Sequence, residues 1–241
     1  MPEITNEEAI KAWSSTPLEW AEQFGDEGDT TRQYLLNPAL FALLGDVSGQ
    51  HILDAGCGQG YLCRLLAKRG AAMTGIEPAE TGFAYAQKRE QAESLGIHYL
   101  QADLSVWSPT PEAFDIVVAN MVLMDIPDYL PALRNCLTSL KQGGRLIFSL
   151  LHPCFEEFGS AWASKKYVEV REYFQERAVP QQVYGYFIHR PLSTYFNDVI
   201  QAGCTIQQVL EPQLDHDVAH RLRAERYAHV PGYIVIAAMK R

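Results

Sequence analysis

Between residues 50 and 151 the apolar positions fall into short unbroken runs, at 52–55, 72–76, 97–100, 114–119 and 145–151. Stretches of helical spacing separate them, at about 59–69, 79–95 and 129–140. In the first of these, Leu62, Leu65 and Leu66 recur on one face, and Gly70 follows as a stop; Gly143-Gly144 closes the last. Strands that read as continuous apolar runs are buried on both sides. The alternation therefore predicts an α/β fold with a parallel sheet covered by helices on both faces.

On either side of this core the pattern changes. Residues 1–48 carry helical spacing and no strand signal, with Ile10, Trp13, Trp20 and Phe24 as apolar positions and a short helix from Pro38 that stops at Gly45. They are read as a helical lid over the sheet or its cleft. Residues 152–190 are rich in aromatics (Phe155, Phe158, Trp162, Tyr173, Tyr184 and Phe187 among them) without clear period, and are read as an insertion that covers a substrate cleft. Regularity returns in 191–241, with a helix at 193–202, a strand at 205–210, a charged helical piece within 215–226 and a last strand at 233–239. The division expected is one domain: lid 1–48, core 49–151, insertion 152–190 and the end of the sheet 191–241.

Composition narrows the partners. The chain has 241 residues, 47% of them hydrophobic, and a formal net charge of −9. That charge argues against general binding to nucleic acid, which needs clustered Lys and Arg. The five cysteines are scattered and form no CxxC pair, as in a reduced, cytoplasmic protein. The acidic first residues do not resemble a signal peptide, and no segment is apolar enough to span a bilayer, so no membrane partner is expected.

The chemistry is concentrated at strand ends. Asp54-Ala55-Gly56-Cys57-Gly58-Gln59-Gly60-Tyr61 joins the first strand to the first core helix. Glycines there allow the backbone to approach a ligand at the carboxyl end of a buried strand. They alternate, and Tyr61 stands where a dinucleotide motif would place its last glycine, which opposes a pyrophosphate on the helix end. Glu77, before Pro78, ends the second strand, where a carboxylate can accept both hydroxyls of a ribose. Asp103 and Leu104 follow the third strand, placed to meet an adenine amino group and ring face. Ala119-Asn120-Met121-Val122-Leu123-Met124-Asp125 follows the fourth strand as an unusually apolar loop, a candidate ligand wall or the buried start of the next helix.

Taken together, Asp54 to Gly60, Glu77, Asp103 and the Gly143-Gly144 turn resemble the class I S-adenosylmethionine-dependent methyltransferases that act on small molecules. The resemblance is good over about 50–151 and loose over the last strands. It implies a Rossmann-like, doubly wound, mostly parallel seven-stranded sheet whose last strand is antiparallel. It implies S-adenosylmethionine as cofactor, S-adenosylhomocysteine as product and no metal. By resemblance Gly56 and Gly58 lie along the methionine part, Glu77 holds the ribose, Asp103 and Leu104 hold the adenine, and Asn120 and Met121 lie near the sulfonium; Asp54, Cys57, Gly60, Tyr61 and Pro78 are expected among the cofactor-binding residues. The chain has no Asn/Asp-Pro-Pro-Tyr after the fourth strand, which argues against methylation of DNA base amines.

Methyl transfer from a sulfonium needs mainly orientation and desolvation, plus a base where the nucleophile arrives protonated. His152, at the end of the fifth strand, is the candidate base or substrate hydrogen-bonder. Arg32 is a candidate partner of the methionine carboxylate, with Tyr34 beside it. His216 and His220 share one helix face but have no third ligand, so no metal site is expected. The function expected is methylation of N or O on a small apolar or aromatic molecule, by a monomer or homodimer. Two rivals stand beside it: a nucleotide-dependent oxidoreductase, and a cofactor-binding protein without transfer activity.

Overall fold

A computed structural model of the chain describes residues 4–155, 162, 166–181 and 185–241. The expected contributions of Phe158 and Tyr184 to the insertion lie outside the described residues.

Four helical segments open the chain: α1 (Asn6–Ser14), α2 (Leu18–Gln23), a π-helical turn (Arg32–Leu36) and α3 (Asn37–Leu44). α1 begins with a capping box. The Thr5 hydroxyl accepts from the Glu8 amide, and the Glu8 carboxylate accepts from the Thr5 amide. The core then alternates β1 (His51–Ala55), α4 (Tyr61–Ala67), β2 (Ala72–Ile76), α5 (Glu80–Glu93), β3 (His98–Leu100), β4 (Phe114–Asn120), α6 (Leu130–Ser139) and β5 (Leu140–Leu151). β6 (Arg177–Gln181) and β7 (Gly185–His189) form a hairpin of their own. After them come α7 (Leu192–Gln201), β8 (Cys204–Leu210), α8 (His216–Arg221), a short 3-10 turn and β9 (Tyr233–Lys240).

The seven-stranded sheet has the order β3-β2-β1-β4-β5-β9-β8, parallel from β3 through β5. β9 inserts antiparallel between β5 and β8. The order reverses at β1, whose neighbours are β2 and β4. In doubly wound sheets this switch point is where ligands bind.

Two apolar layers cover the sheet. One packs α3, α4 and residues of the last turns against Ile52, Ile116, Ile147 and Val235. The other packs α6 and α7 against Leu53, Val117, Phe148 and Ile236. Neighbouring strand residues thus face opposite layers, and both layers are apolar, as the unbroken runs implied. Among the described residues no helix is long and apolar enough to cross a membrane.

The hairpin β6–β7 lies in the aromatic stretch, where the periodicity revealed no strands. It is docked onto the core: the Ile188 amide donates to the Met124 carbonyl at 2.7 Å, and Phe187 and Ile188 are buried.

Candidate functional site

β1 delivers the chain to the switch point, and the glycine turn redirects it into α4. Gly56, Gly58 and Gly60 have φ of 73°, 54° and 79°, the left-handed region that other residues enter at a cost. The amides of Gly56 and Cys57 both donate to the Ile76 carbonyl, at 2.8 and 2.9 Å, tying the turn to the end of β2.

The glycines do different jobs. A Cβ on Gly56 would lie 2.6 Å from a Val122 methyl, and one on Gly60 would lie 2.4 Å from the Tyr99 hydroxyl. Those two accommodate neighbouring protein. A Cβ on Gly58 would meet only the rim of Trp20, at 3.9 Å. Of the three, Gly58 is the one whose free side faces open space in the cleft.

Glu77 bridges this turn to α5. Its Oε2 accepts from the Gly58 amide at 2.9 Å and its Oε1 from the Ala79 amide at 2.8 Å. Burial pushes its carboxyl up to about 7, against the pull of those two amides. Asp54 is also buried, and burial raises it to about 7, with the Cys63 thiol donating to it at 3.3 Å and Glu77 pushing the same way as burial. Asp103 Oδ1 accepts from both the amide and the hydroxyl of Ser105, at 2.8 Å each, so its loop is preformed, and Leu104 is buried beneath it.

Asn120, the last residue of β4, is fixed at both ends. Its Nδ2 donates to the Tyr61 hydroxyl at 2.7 Å, and its Oδ1 accepts from the Ser149 hydroxyl at 2.7 Å. The Tyr61 hydroxyl donates onward to Asn37, and the Ser149 hydroxyl accepts the Met121 amide at 2.9 Å. Met121 itself has φ 63°, a rare conformation for a side-chain-bearing residue, at the point where the strand enters the cleft.

These residues line a cleft of about 1060 Å³, counting the solvent at its mouth. Asp54, Gly56, Cys57, Gly58, Tyr61, Glu77, Pro78, Asp103, Leu104, Asn120 and Met121 all line it, so the structure gathers nearly the whole set expected from sequence. Gly60, packed under Tyr99, does not. The opposite wall comes from the N-terminal helices, through Trp13, Trp20 and Phe24; Trp13 is tilted against Trp20 at 5.6 Å between ring centres, and Trp20 meets Phe24 edge-on at 4.9 Å.

Several expectations fall elsewhere. None of the described insertion residues lines this cleft; the aromatic cover is supplied by α1 and α2. Trp13, Trp20 and Phe24 carried too little period to separate a lid from ordinary packing. Tyr34 is 43% exposed and does not line the cleft. Arg32 lines the cleft, but its Nη1 lies 2.7 Å from Asp29 Oδ2 and its guanidinium covers the Phe24 ring.

His152 is buried outside the cleft lining. Its Nε2 is 2.9 Å from Glu211 Oε1, and its Nδ1 accepts the Cys154 amide. Burial lowers its pKa, with Glu211 pulling it back up. His216 and His220 are exposed on α8, far along the chain from every cleft residue.

Two residues play parts other than those the sequence suggested. Arg190 is buried and donates to the carbonyls of Leu123, Ile126 and Pro127, clamping the loop after β4. Asp125, within that loop, lines the cleft with its Oδ1 sealed from solvent. A single acid in an apolar loop gives no periodic signal.

Residues 53–148 match the family model described as a methyltransferase domain. The fold matches the crystal structure of an S-adenosylmethionine-dependent methyltransferase from Mesorhizobium loti, at 27% identity and a TM-score of 0.73, over 84% of this chain and 96% of that one. Residues 53–148 thus form a methyltransferase domain, in a fold shared with S-adenosylmethionine-dependent methyltransferases. A ubiquinone biosynthesis O-methyltransferase from Coxiella burnetii is 28% identical over 166 residues, 68% of this methyltransferase and 70% of that protein. The magnesium protoporphyrin IX methyltransferase of Synechocystis PCC 6803, solved with bound SAH, shares the fold at 16% identity, with a TM-score of 0.67 over 98% of this chain and 99% of that one.

The residues present suit the S-adenosylmethionine of the family. Gly58 leaves room for a ligand against the turn. Asp54, Glu77 and Asp125 give the cleft acids suited to a cationic ligand, and Glu77 and Asp103 can accept from hydroxyl and amino groups.

Proposed function

We propose that this enzyme methylates an oxygen of a small, largely apolar ring compound, with S-adenosylmethionine held along the glycine turn. The observation that carries the reading is the shape of the cleft: acids and a bare glycine on the sheet side, aromatic rings on the helical side. Cavities of this kind bury apolar ligands and orient them with few polar groups. The name of the Coxiella relative supports oxygen over nitrogen and an aromatic acceptor.

In this reading Gly58, with Gly56 and Cys57 beside it, lies along the methionine part, and Glu77 accepts the ribose hydroxyls beside Pro78. Asp103 and Leu104 receive the adenine. Asn120, held rigid by Tyr61 and Ser149, and Met121 border the reacting end. Arg32 reaches the methionine carboxylate only by sharing its guanidinium with Asp29. The cofactor supplies an activated methyl group, so the protein's share is orientation and exclusion of water. The rings of Trp13, Trp20 and Phe24 supply that exclusion. His152 is left out of the proton-accepting role, since both its nitrogens are engaged away from the cleft. A cytoplasmic place of action is supported by five free thiols.

The test is transfer of labelled methyl from S-adenosylmethionine to a panel of phenols, catechols, amines and carboxylates. Label should enter the phenols and catechols. Label in amines alone would overturn the oxygen assignment, and label in aliphatic carboxylates alone would overturn the ring acceptor.

A further inference from the structure

Asp125 is the one acid of the cleft that neither the fold nor the contacts just assigned account for. Its amide donates to the Val122 carbonyl at 2.8 Å, which fixes the loop. Its Oδ1 is sealed from solvent without a hydrogen-bond partner among the described residues. A buried polar atom left unpaired is costly, and here it belongs to a residue that lines the cleft, so a ligand there meets a carboxyl the protein has not satisfied.

Its position narrows which ligand. The cleft meets a narrow slot between α1 and β7, lined in part by Ala12, Tyr186 and Ile188. Slot and cleft share Ala9, Trp13, Asp125 and Pro127, while Gly58, Glu77 and Asp103 belong to the cleft alone. Asp125 therefore stands where the cleft meets the slot beneath α1, within electrostatic reach of Glu77.

The charges around it are few. Arg32 faces it from the π-helical turn and Glu77 from the end of β2; Tyr186 lies near it on β7, and Asp54 lines the same cleft from β1. Arg32 is already paired with Asp29. Burial holds the Asp125 carboxyl well above the ordinary range, with Arg32 pulling down and Glu77 pushing up.

We propose that Asp125 is the acceptor-side carboxyl of this enzyme, ionised by the arrival of the cofactor's sulfonium charge and placed to receive the proton of an acceptor hydroxyl. The proposal rests on the methyltransferase reading of the cleft. A positive charge entering a low-dielectric site favours the ionised form of a nearby acid. In the step itself the acceptor O–H bond breaks and its proton passes to Asp125. The acceptor oxygen's electron pair forms the O–CH3 bond, and the pair of the broken S–CH3 bond remains on sulfur. One carboxylate and one sulfonium become one carboxylic acid and one thioether, so charge balances.

Titration calorimetry on the full-length chain tests this without knowledge of the acceptor. S-adenosylmethionine and S-adenosylhomocysteine are the probes, and they differ by one methyl group and one positive charge. Runs at pH 7 in phosphate and in Tris count the protons exchanged. Wild type should release about half a proton more, or greater, with S-adenosylmethionine than with S-adenosylhomocysteine. Asp125→Asn should abolish the difference and Asp125→Glu restore it. In wild type alone, the affinity ratio of the two probes should rise about tenfold between pH 5 and pH 8. Equal proton release, a flat ratio, or a difference that persists in Asp125→Asn overturns the proposal. Absence of binding by either probe instead removes the methyltransferase reading beneath it.

Discussion

The carboxylate of Glu77 accepts the Gly58 amide at 2.9 Å, so the acid offered to a ribose also holds the turn on which the ligand lies. Ribose recognition and turn geometry are therefore coupled through one side chain. Burial raises this carboxyl to about 7. Its ionised form accepts hydroxyl protons; the protonated form loses acceptor capacity. Affinity for S-adenosylmethionine should rise as pH climbs through about 7 and level off above it. Glu77→Gln should bind about 10- to 100-fold more weakly. It should also flatten that part of the pH profile, as measured by calorimetry from pH 5.5 to 8.5.

The three glycines of the turn should separate under substitution. Gly56→Ala drives a methyl into Val122, so its effect is on folding, about 2 kcal/mol or more from overpacking and a positive φ. Gly58→Ala meets nothing closer than Trp20, so only the conformational cost of about 1 kcal/mol applies to stability. Its methyl enters the ligand space, and affinity should fall more than tenfold. Urea unfolding and cofactor titration on the two variants should give opposite rank orders.

Arg190 holds three carbonyls of the loop after β4 from a buried position. Arg190→Met keeps much of the volume and removes the donors. The cost should be about 2–4 kcal/mol, a fall in Tm of roughly 6–12 °C. Thermal unfolding measures it. A shift under 2 °C would show that water takes over those carbonyls without penalty.

Asp54 is buried and raised to about 7, whereas an exposed aspartate titrates near 4. The folded state thus binds its proton more tightly than the unfolded state does. Its stabilising effect is complete below about pH 4, is lost between about 4 and 7, and stays lost above. Asp54→Asn does not titrate. The stability of wild type relative to this variant should therefore decline from pH 4.5 to pH 7 and then stay level, as read by denaturant unfolding at several pH values. A gap that widens in the other direction would mean that Asp54 is ionised in the native protein.

Most of the sheet could be read from the chain because each strand is buried on both faces and so announces itself as an unbroken apolar run. The predicted strand at 72–76 and last strand at 233–239 match β2 and β9 to within one residue. Glu77 was readable for a related reason: an acid that ends such a run lies at the sheet's carboxyl edge. Partnerships across long sequence separation were hidden. The aromatics of 152–190 gave no period, and the hairpin β6–β7 emerges only from pairing across strands. His152 was rightly placed at the end of β5, but its direction is decided by Glu211, which follows β8. Asp125 looked like part of an apolar wall, because the elements that bury it, α1 and β7, stand far from it on either side in sequence.

Asn6 and Asp128 exchange two hydrogen bonds, the Asn6 amide to the Asp128 carbonyl and the Asp128 amide to the Asn6 side-chain oxygen. They fasten the first helix to the loop that carries Asp125, across 122 residues of chain, by contacts exposed to water. Every strand of the main sheet begins after residue 50. The first helix, which has no buried residue of its own, therefore serves the cleft more than the core. A chain shortened by its first fifteen residues would keep the sheet, with Trp20 and Phe24 in place, and lose Trp13 and the clasp on the Asp125 loop, opening the cleft to water on that side.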